Sequence, residues 1–350
     1  MTFADVQRRT WRENILFSAL VELTYRCNLD CFFCYNDTSL AGVPLSAAQY
    51  VRLFEDLRDL GTMNLTLTGG EPLAHADFFS LGRAARDLGF VVRVKTNGHA
   101  LHGDLARRVK GEVDPFVVEI SLHGACAETH DRQTRVPGSF EKLMANLGEA
   151  RSVGLRVRLI SVLTAWNEHE IDAVYDLADR LGVPIQVDPH VTRRDDGDVA
   201  PFQVTASREG IARLFELQRK RAAAVAGGTG PEPVEQGCAE EVAPSGAEKH
   251  CGAGSSSITI DPFGNVYPCV QWRRRIGNIH EVSISSLWRG SEELAEIRRL
   301  AVEVRQAIGK EGVQGFGFCP GSAEQETGSP TRLYPLAQTM LDLRRRDPAD

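Results

Sequence analysis

Between residue 17 and about residue 190 the chain alternates two hydrophobic periods. Short apolar runs rich in β-branched residues, at 17–24, 63–68, 90–95, 116–122, 155–163 and 184–188, predict strands. Between them apolar residues recur at helical spacing. The clearest such run starts at Ser46, which with Gln49 makes a capping box; Tyr50, Leu53, Phe54, Leu57 and Leu60 then share one face, and Gly61 stops it. Further helical runs at 77–88, 103–110, 139–152 and 168–181 are each followed by another element. Six β/α units in series predict an α/β fold of parallel strands with right-handed crossovers, either a partial (β/α)6 TIM-like barrel or an open doubly wound sheet. Both architectures collect reactive groups at the C-terminal ends of the strands.

After residue 190 this pattern stops. HVTRRDDGD reads as a polar loop, 207–225 as a charged helix, and 226–249 as a Gly-, Pro- and Glu-rich linker. SITIDPFGNVYPC then predicts a β-hairpin turning at Pro-Phe-Gly. The expected organisation is a core at 1–190, a helix and linker at 191–250, and a second region with a C-terminal helix at 251–350.

A chain of 350 residues, 42% hydrophobic and 25% charged, has room for one large globular domain and a smaller one. Its 40 basic and 47 acidic residues leave a net charge of -7, which makes nucleic acid and anionic membranes poor partners. No apolar stretch approaches the roughly 20 residues of a membrane span, and the opening residues lack the apolar core of a signal peptide. The expected location is the cytoplasm. There, eight cysteines read as metal ligands or reactive thiols before disulfides.

Three of them, Cys27, Cys31 and Cys34, stand in CNLDCFFC directly after the first predicted strand. Zinc would need a distant fourth ligand, and structural zinc sites usually pair two Cys-x-x-Cys knuckles. A redox pair would use Cys31 and Cys34 and leave Cys27 unexplained. An iron–sulfur cube takes four thiolates, so three leave one iron with an open position, the mark of a catalytic rather than a structural site. Spacing alone leaves these readings side by side.

Cys-x-x-x-Cys-x-aromatic-Cys, with Phe33 as the aromatic residue, resembles the cluster loop of the radical S-adenosylmethionine (SAM) superfamily. The resemblance implies a radical SAM-type partial barrel with a [4Fe–4S] cluster on Cys27, Cys31 and Cys34. The open iron would chelate SAM, and an electron from the cluster would cleave it to a 5′-deoxyadenosyl radical. Thr68-Gly69-Gly70-Glu71-Pro72, after the second strand, resembles the family's motif for the SAM amino group. Two glycines there let the backbone approach a ligand, and a carboxylate suits an ammonium. Asn97 and Ser121, at the ends of the third and fourth strands, resemble positions that contact the SAM ribose and carboxylate, and Arg135 resembles a further SAM-contacting arginine. Period two puts Glu119, Ser121 and His123 on one face. His123, with Asp188 and His190 after the sixth strand, are the candidate acid–base groups.

Cys251 and Cys269, in a Cys-x12-Gly-x4-Cys arrangement around the hairpin, resemble the opening of the SPASM or twitch extension of radical SAM enzymes. A full extension continues with closely spaced cysteines, whereas here only Cys319 follows. The resemblance therefore implies one auxiliary iron–sulfur cluster on Cys251, Cys269 and Cys319, with Cys238 as candidate fourth ligand and Cys126 structural. Such a cluster suits oxidative chemistry, in which a second electron must leave the substrate. Family members with both regions mostly modify ribosomally made peptides, so the expected function is oxidative crosslinking of a precursor peptide. Only 26 residues precede Cys27, so leader recognition is expected from a separate protein or from the barrel surface, and electrons from a flavodoxin or ferredoxin. The alternatives are a dehydrogenase or epimerase of a sugar or aminoglycoside, and, from another class, a noncatalytic metal-binding or electron-transfer protein without SAM.

Overall fold

Residues 2–226, 248–311 and 317–346 are described by a computed structural model. Cys238 and most of the expected linker lie outside the described residues. The six predicted strands form as β1 (Ser18–Thr24), β2 (Asn64–Gly69), β3 (Val91–Thr96), β4 (Val117–Ser121), β5 (Val157–Val162) and β6 (Ile185–Asp188). They pair in parallel and in chain order. A doubly wound sheet reverses its strand order partway, which sends helices to both faces. Here the order runs without reversal from β1 to β6, so right-handed crossovers place the helices on one face and leave the other concave, as in a partial barrel.

Alternation along the strands matches that division. Val21, Leu67, Val94, Ile120, Leu159 and Val187 are buried on the helix side. Thr66, Arg93, Lys95, Glu119, Arg158 and Gln186 point the other way and line a lumen of about 330 Å³. The helix Ala47–Asp59 starts as its sequence dictates, with both halves of the Ser46–Gln49 capping box formed and Tyr50, Leu53, Phe54 and Leu57 buried.

Several helices have no counterpart in the sequence reading, among them Phe3–Glu13, Ala127–Thr134, Ile284–Gly290 and Glu292–Gly309. Phe3–Glu13 is mostly polar and is started by a Thr2–Asp5 capping box. Ala127–Thr134 buries a polar face of Thr129, His130, Gln133 and Thr134, so its period is invisible to hydrophobicity. The run at 103–110 is helical to Arg108 and then widens into a π turn, Val109–Val113.

The hairpin after Cys251 does not begin a separate sheet. Its first strand, β7 (Ser257–Ile260), pairs in parallel with the free edge of β1, and β8 (Asn265–Tyr267) and β9 (Gly277–Asn278) extend the same sheet antiparallel. Asp261 holds the turn by accepting from the amides of Phe263 and Asn265 at 2.9 and 2.8 Å, and Gly264 closes it at a φ of 79°.

One ion cluster locks this joint. Arg273, just beyond β8, makes a two-pronged contact with Glu22 of β1 at 2.7 and 3.1 Å and reaches Asp195 at 3.1 Å. Glu22 is fully buried, and the phenols of Tyr25 and Tyr35 donate to its two oxygens at 3.0 and 3.1 Å. Removing one member of such a cluster leaves a buried charge uncompensated, at a cost of about 3–5 kcal/mol. Arg273→Ala should therefore lower the unfolding free energy by about that amount in urea titrations. Arg275→Ala, at the half-exposed pair with Glu281, should change it by less than about 1 kcal/mol. Equal effects from the two would show that the buried cluster does not lock the joint.

Candidate functional site

The cysteine loop leaves β1 at its C-terminal end and is pinned on three sides. The amides of Asp30 and Phe32 donate to the carbonyls of Thr134 and Gln133 at 3.1 Å, at the end of helix Ala127–Thr134. Asp195 donates its amide to Tyr35 at 2.8 Å, and Arg194 reaches the Phe32 carbonyl at 3.3 Å. Asn36 donates to the Gly69 carbonyl at 3.1 Å, which fastens the loop to the end of β2.

Cys27 is exposed and Cys31 and Cys34 are partly so. Burial pushes the thiols of Cys31 and Cys34 up, that of Cys34 to about 11, and the charge of Cys27 works in the same direction on both. The three sulfurs thus oppose each other's ionisation, a penalty that iron would reverse by binding them as thiolates. Among the described residues no three His, Cys, Asp or Glu side chains are gathered around a position for a single metal ion. The donor set fits an iron–sulfur group held by soft thiolates. Asn36 Oδ1 and His123 Nδ1 are buried at this end of the sheet without a hydrogen-bond partner among the described residues, so the site also retains unmet polar capacity.

The Gly-Gly-Glu-Pro segment joins the end of β2 to the cysteine loop and to β3. Gly70 donates its amide to the Thr24 carbonyl at 2.6 Å, and a Cβ there would come within 2.5 Å of the Arg26 carbonyl. The glycines bring β2 against the root of the cysteine loop. Glu71 is 2% exposed, and its oxygens accept from the Leu73 amide at 3.0 Å, the Thr96 hydroxyl at 2.8 and 2.9 Å and the Asn97 amide at 2.9 Å. With those donors in place the carboxylate fixes the end of β3.

Asn97 is thereby aimed at the cysteine loop. Its Nδ2 donates to Asn28 Oδ1 at 2.7 Å and lies 3.7 Å from Cys27 Sγ, while its Oδ1 accepts from the His99 amide at 3.0 Å. Ser121 ends β4, paired in register with Ile160. Arg135 caps its helix at a φ of 59° and pairs with Asp30 at 2.9 Å, beside Cys31. Phe33 packs edge-on against His123, centroid to centroid 4.8 Å. Burial, then the His130 charge, lowers the His123 pKa to about 3, so its imidazole is neutral at physiological pH. The structure brings Cys27, Cys31, Cys34, Phe33, Asn97 and His123 to one end of the sheet. Asp188 ends β6 at the same end of the sheet, in the lumen wall, hydrogen-bonded to His190 Nδ1 at 2.7 Å.

Cys269 and Cys319 come together at the other side of the lumen. Burial, then the Cys269 charge, pushes the Cys319 thiol up to about 11. Cys319 Sγ lies 3.1 Å from Gln271 Oε1, and its amide donates to the Tyr334 hydroxyl at 3.1 Å. His190 Nε2 reaches the same hydroxyl at 3.1 Å, which links the end of β6 to this cysteine. Cys251 is buried just before β7, and Cys126 is exposed, with its sulfur 3.6 Å from Glu170. Sequence reasoning missed Glu22, Arg273 and Asp195. A glutamate inside the apolar strand Ser18–Thr24 was the one available signal, because Arg273 and Asp195 are brought to it only by the fold.

Comparison with known proteins agrees with this arrangement. Residues 21–178 match the family model of the radical SAM superfamily, and residues 251–310 match that of an iron–sulfur cluster-binding domain, SPASM. The pre-heme d1 synthase of Dinoroseobacter shibae is 30% identical, over 91% of this chain and 82% of its own. The AdoMet-dependent heme synthase of Methanosarcina barkeri is 27% identical, over 79% and 83%. The mycofactocin maturase MftC of Mycobacterium tuberculosis is 28% identical, over 79% and 71%. In structure, Streptococcus suis SuiB bound to S-adenosylmethionine superposes with a TM-score of 0.72 at 16% identity, covering 93% of this chain and 78% of that one. The chain belongs to the radical SAM superfamily, whose enzymes use SAM and a [4Fe–4S] cluster, and it carries an iron–sulfur region of the SPASM family on the C-terminal side.

Proposed function

We propose that this radical SAM enzyme oxidatively modifies a ribosomally made precursor peptide in the cytoplasm, introducing a crosslink. The observation that carries the reading is Cys269 in the wall of the lumen, where a ligand of the auxiliary site borders the substrate space of the barrel. In this reading Cys27, Cys31 and Cys34 hold the SAM cluster, and Cys251, Cys269 and Cys319 hold one auxiliary cluster, with Cys238 as candidate fourth ligand. When bound, these groups supply an adenosyl radical for hydrogen abstraction and an acceptor for the second electron. Gly69, Gly70, Asn97 and Ser121 form the SAM bed, with Phe33 at its edge. Glu71 and Arg135 are positioning residues, the first through Asn97 and the second through Asp30. The buried neutral imidazole of His123 can accept a proton at Nδ1 only at a cost in desolvation, so it serves better as a wall than as a base. A separate leader-binding protein and a flavodoxin or ferredoxin donor complete the system.

A second reading, a tetrapyrrole substrate, is favoured by one observation: the 30% identity to a pre-heme d1 synthase extends over 91% of this chain. Coexpression with short reading frames beside the gene, read by mass spectrometry, separates the two. A peptide lighter by two hydrogens supports crosslinking, whereas unchanged peptides together with turnover of a tetrapyrrole would overturn it.

Iron and sulfide analysis after anaerobic reconstitution should give two clusters in the wild type, falling toward one in Cys251→Ala. Unchanged iron in that variant would contradict the auxiliary assignment. Gly70→Ala should slow formation of 5′-deoxyadenosine roughly a hundredfold by displacing the loop root at Arg26. Wild-type turnover in Gly70→Ala would show that the close approach of the two strand ends is unimportant.

A further inference from the structure

Cys319 is tied to the lumen wall through three side chains in series. Asp188 ends β6 and lines the lumen together with Cys269, with 46% of its side chain open. Its Oδ1 accepts from the amide of His190 at 2.9 Å and from Nδ1 of the same residue at 2.7 Å. The other ring nitrogen reaches the Tyr334 hydroxyl at 3.1 Å, and that hydroxyl accepts from the Cys319 amide at 3.1 Å. The Tyr334 side chain is buried and that of His190 nearly so, which shields the middle of the chain from solvent.

The partners fix the direction of each bond. A carboxylate only accepts, so Nδ1 carries a proton. Among the described residues Nε2 is the one acceptor within reach of the Tyr334 O–H, and a buried phenol needs one, so the ring is read as neutral with Nε2 accepting. Burial lowers the imidazole pKa, but the Asp188 charge and hydrogen bond outweigh it, with Glu326 adding to them, so protonation of the ring competes with the phenol for Nε2 at lower pH. In the neutral state every donor of the chain points toward Asp188. Hydrogen bonds in such a series polarise one another. The negative charge of Asp188 therefore draws the phenol proton toward His190 and leaves the phenol oxygen a stronger acceptor for the Cys319 backbone. Cys319 in turn caps the helix Pro320–Thr327, whose Ser322 amide points at the cysteine sulfur at 3.5 Å. Partners behind a metal ligand of this kind orient it and tune the group it holds.

We propose that Asp188, His190 and Tyr334 form a relay through which the lumen tunes the auxiliary site at Cys319, so that a guest bringing a cation or hydrogen-bond donor to Asp188 relaxes the relay and makes that site easier to reduce. Asp188 is the group that the guest meets; His190 and Tyr334 are positioning residues. Readiness to accept the second electron then rises once the lumen is filled. This deepens the function proposed above and rests on Cys319 being a ligand of the auxiliary cluster.

The test is a redox titration of the reconstituted whole chain at pH 9, without substrate, followed by electron paramagnetic resonance of the auxiliary signal, the one that SAM does not shift. Asp188→Asn imitates the neutralised carboxylate. It should raise the ratio of reduced to oxidised auxiliary cluster at a fixed potential roughly tenfold, about 59 mV for one electron. That shift should fall by more than half when Tyr334→Phe is also present, because neighbours in one network do not act additively. A purely structural tyrosine would change iron content or stability and leave the effect of Asp188→Asn as it was. His190→Leu breaks the same chain at its middle and gives a second cycle if Tyr334→Phe holds less iron. No shift in Asp188→Asn would overturn the relay, and so would an equal shift with and without Tyr334→Phe or His190→Leu, since the charge would then act through space alone. Unchanged iron in Cys319→Ala would overturn the ligand assignment and the relay with it, whereas loss of a cluster there beside equal shifts would overturn the relay alone.

Discussion

The structure depends on Arg273 being held between Glu22 and Asp195. Glu22 belongs to the first barrel strand, Arg273 to the segment after the added hairpin, and Asp195 to the loop whose amide grips the cysteine loop at Tyr35. A buried carboxylate in the middle of a strand costs free energy unless it is paired and hydrogen-bonded, and here a two-pronged guanidinium and two phenols satisfy it. The same guanidinium lies 5.4 Å from the ring centre of Tyr35, next to Cys34, and 5.0 Å from that of Tyr267 on β8. Root, loop and hairpin are thus set relative to one another by charges that only the assembled fold can pair.

From that joint the chemistry is distributed along one lumen. The cysteine loop is packed on the Gly69–Gly70 turn, while Cys269 stands in the wall formed by the added hairpin, with Cys319 behind it. Between them the strands present polar and charged residues where a packed barrel would present branched aliphatics. The second-region strands complete this cavity by extending the β1 edge.

Much of this was legible in the chain. The six strands, the Ser46 helix start and the Pro-Phe-Gly hairpin follow from local period and turn chemistry, and they form within a few residues of expectation. The cysteine spacing marked the loop because its meaning is local. What was not legible depended on distant pairing. Ala127–Thr134 hides its period because its buried face is polar, and the hold of Glu71 on Thr96 and Asn97 joins strand ends that only the fold brings together. The sharing of one sheet by β1 and β7 could not be read from a stretch that resembles a linker, since strand pairing across it is non-local.

The central claim is that three thiolates after β1 hold a cluster with one iron left for SAM. Electron paramagnetic resonance of the dithionite-reduced protein, with and without SAM, tests it most directly. The account predicts two overlapping [4Fe–4S] signals, of which one shifts when SAM is added and disappears in Cys31→Ala. A spectrum indifferent to SAM, or one left intact by that substitution, would contradict it.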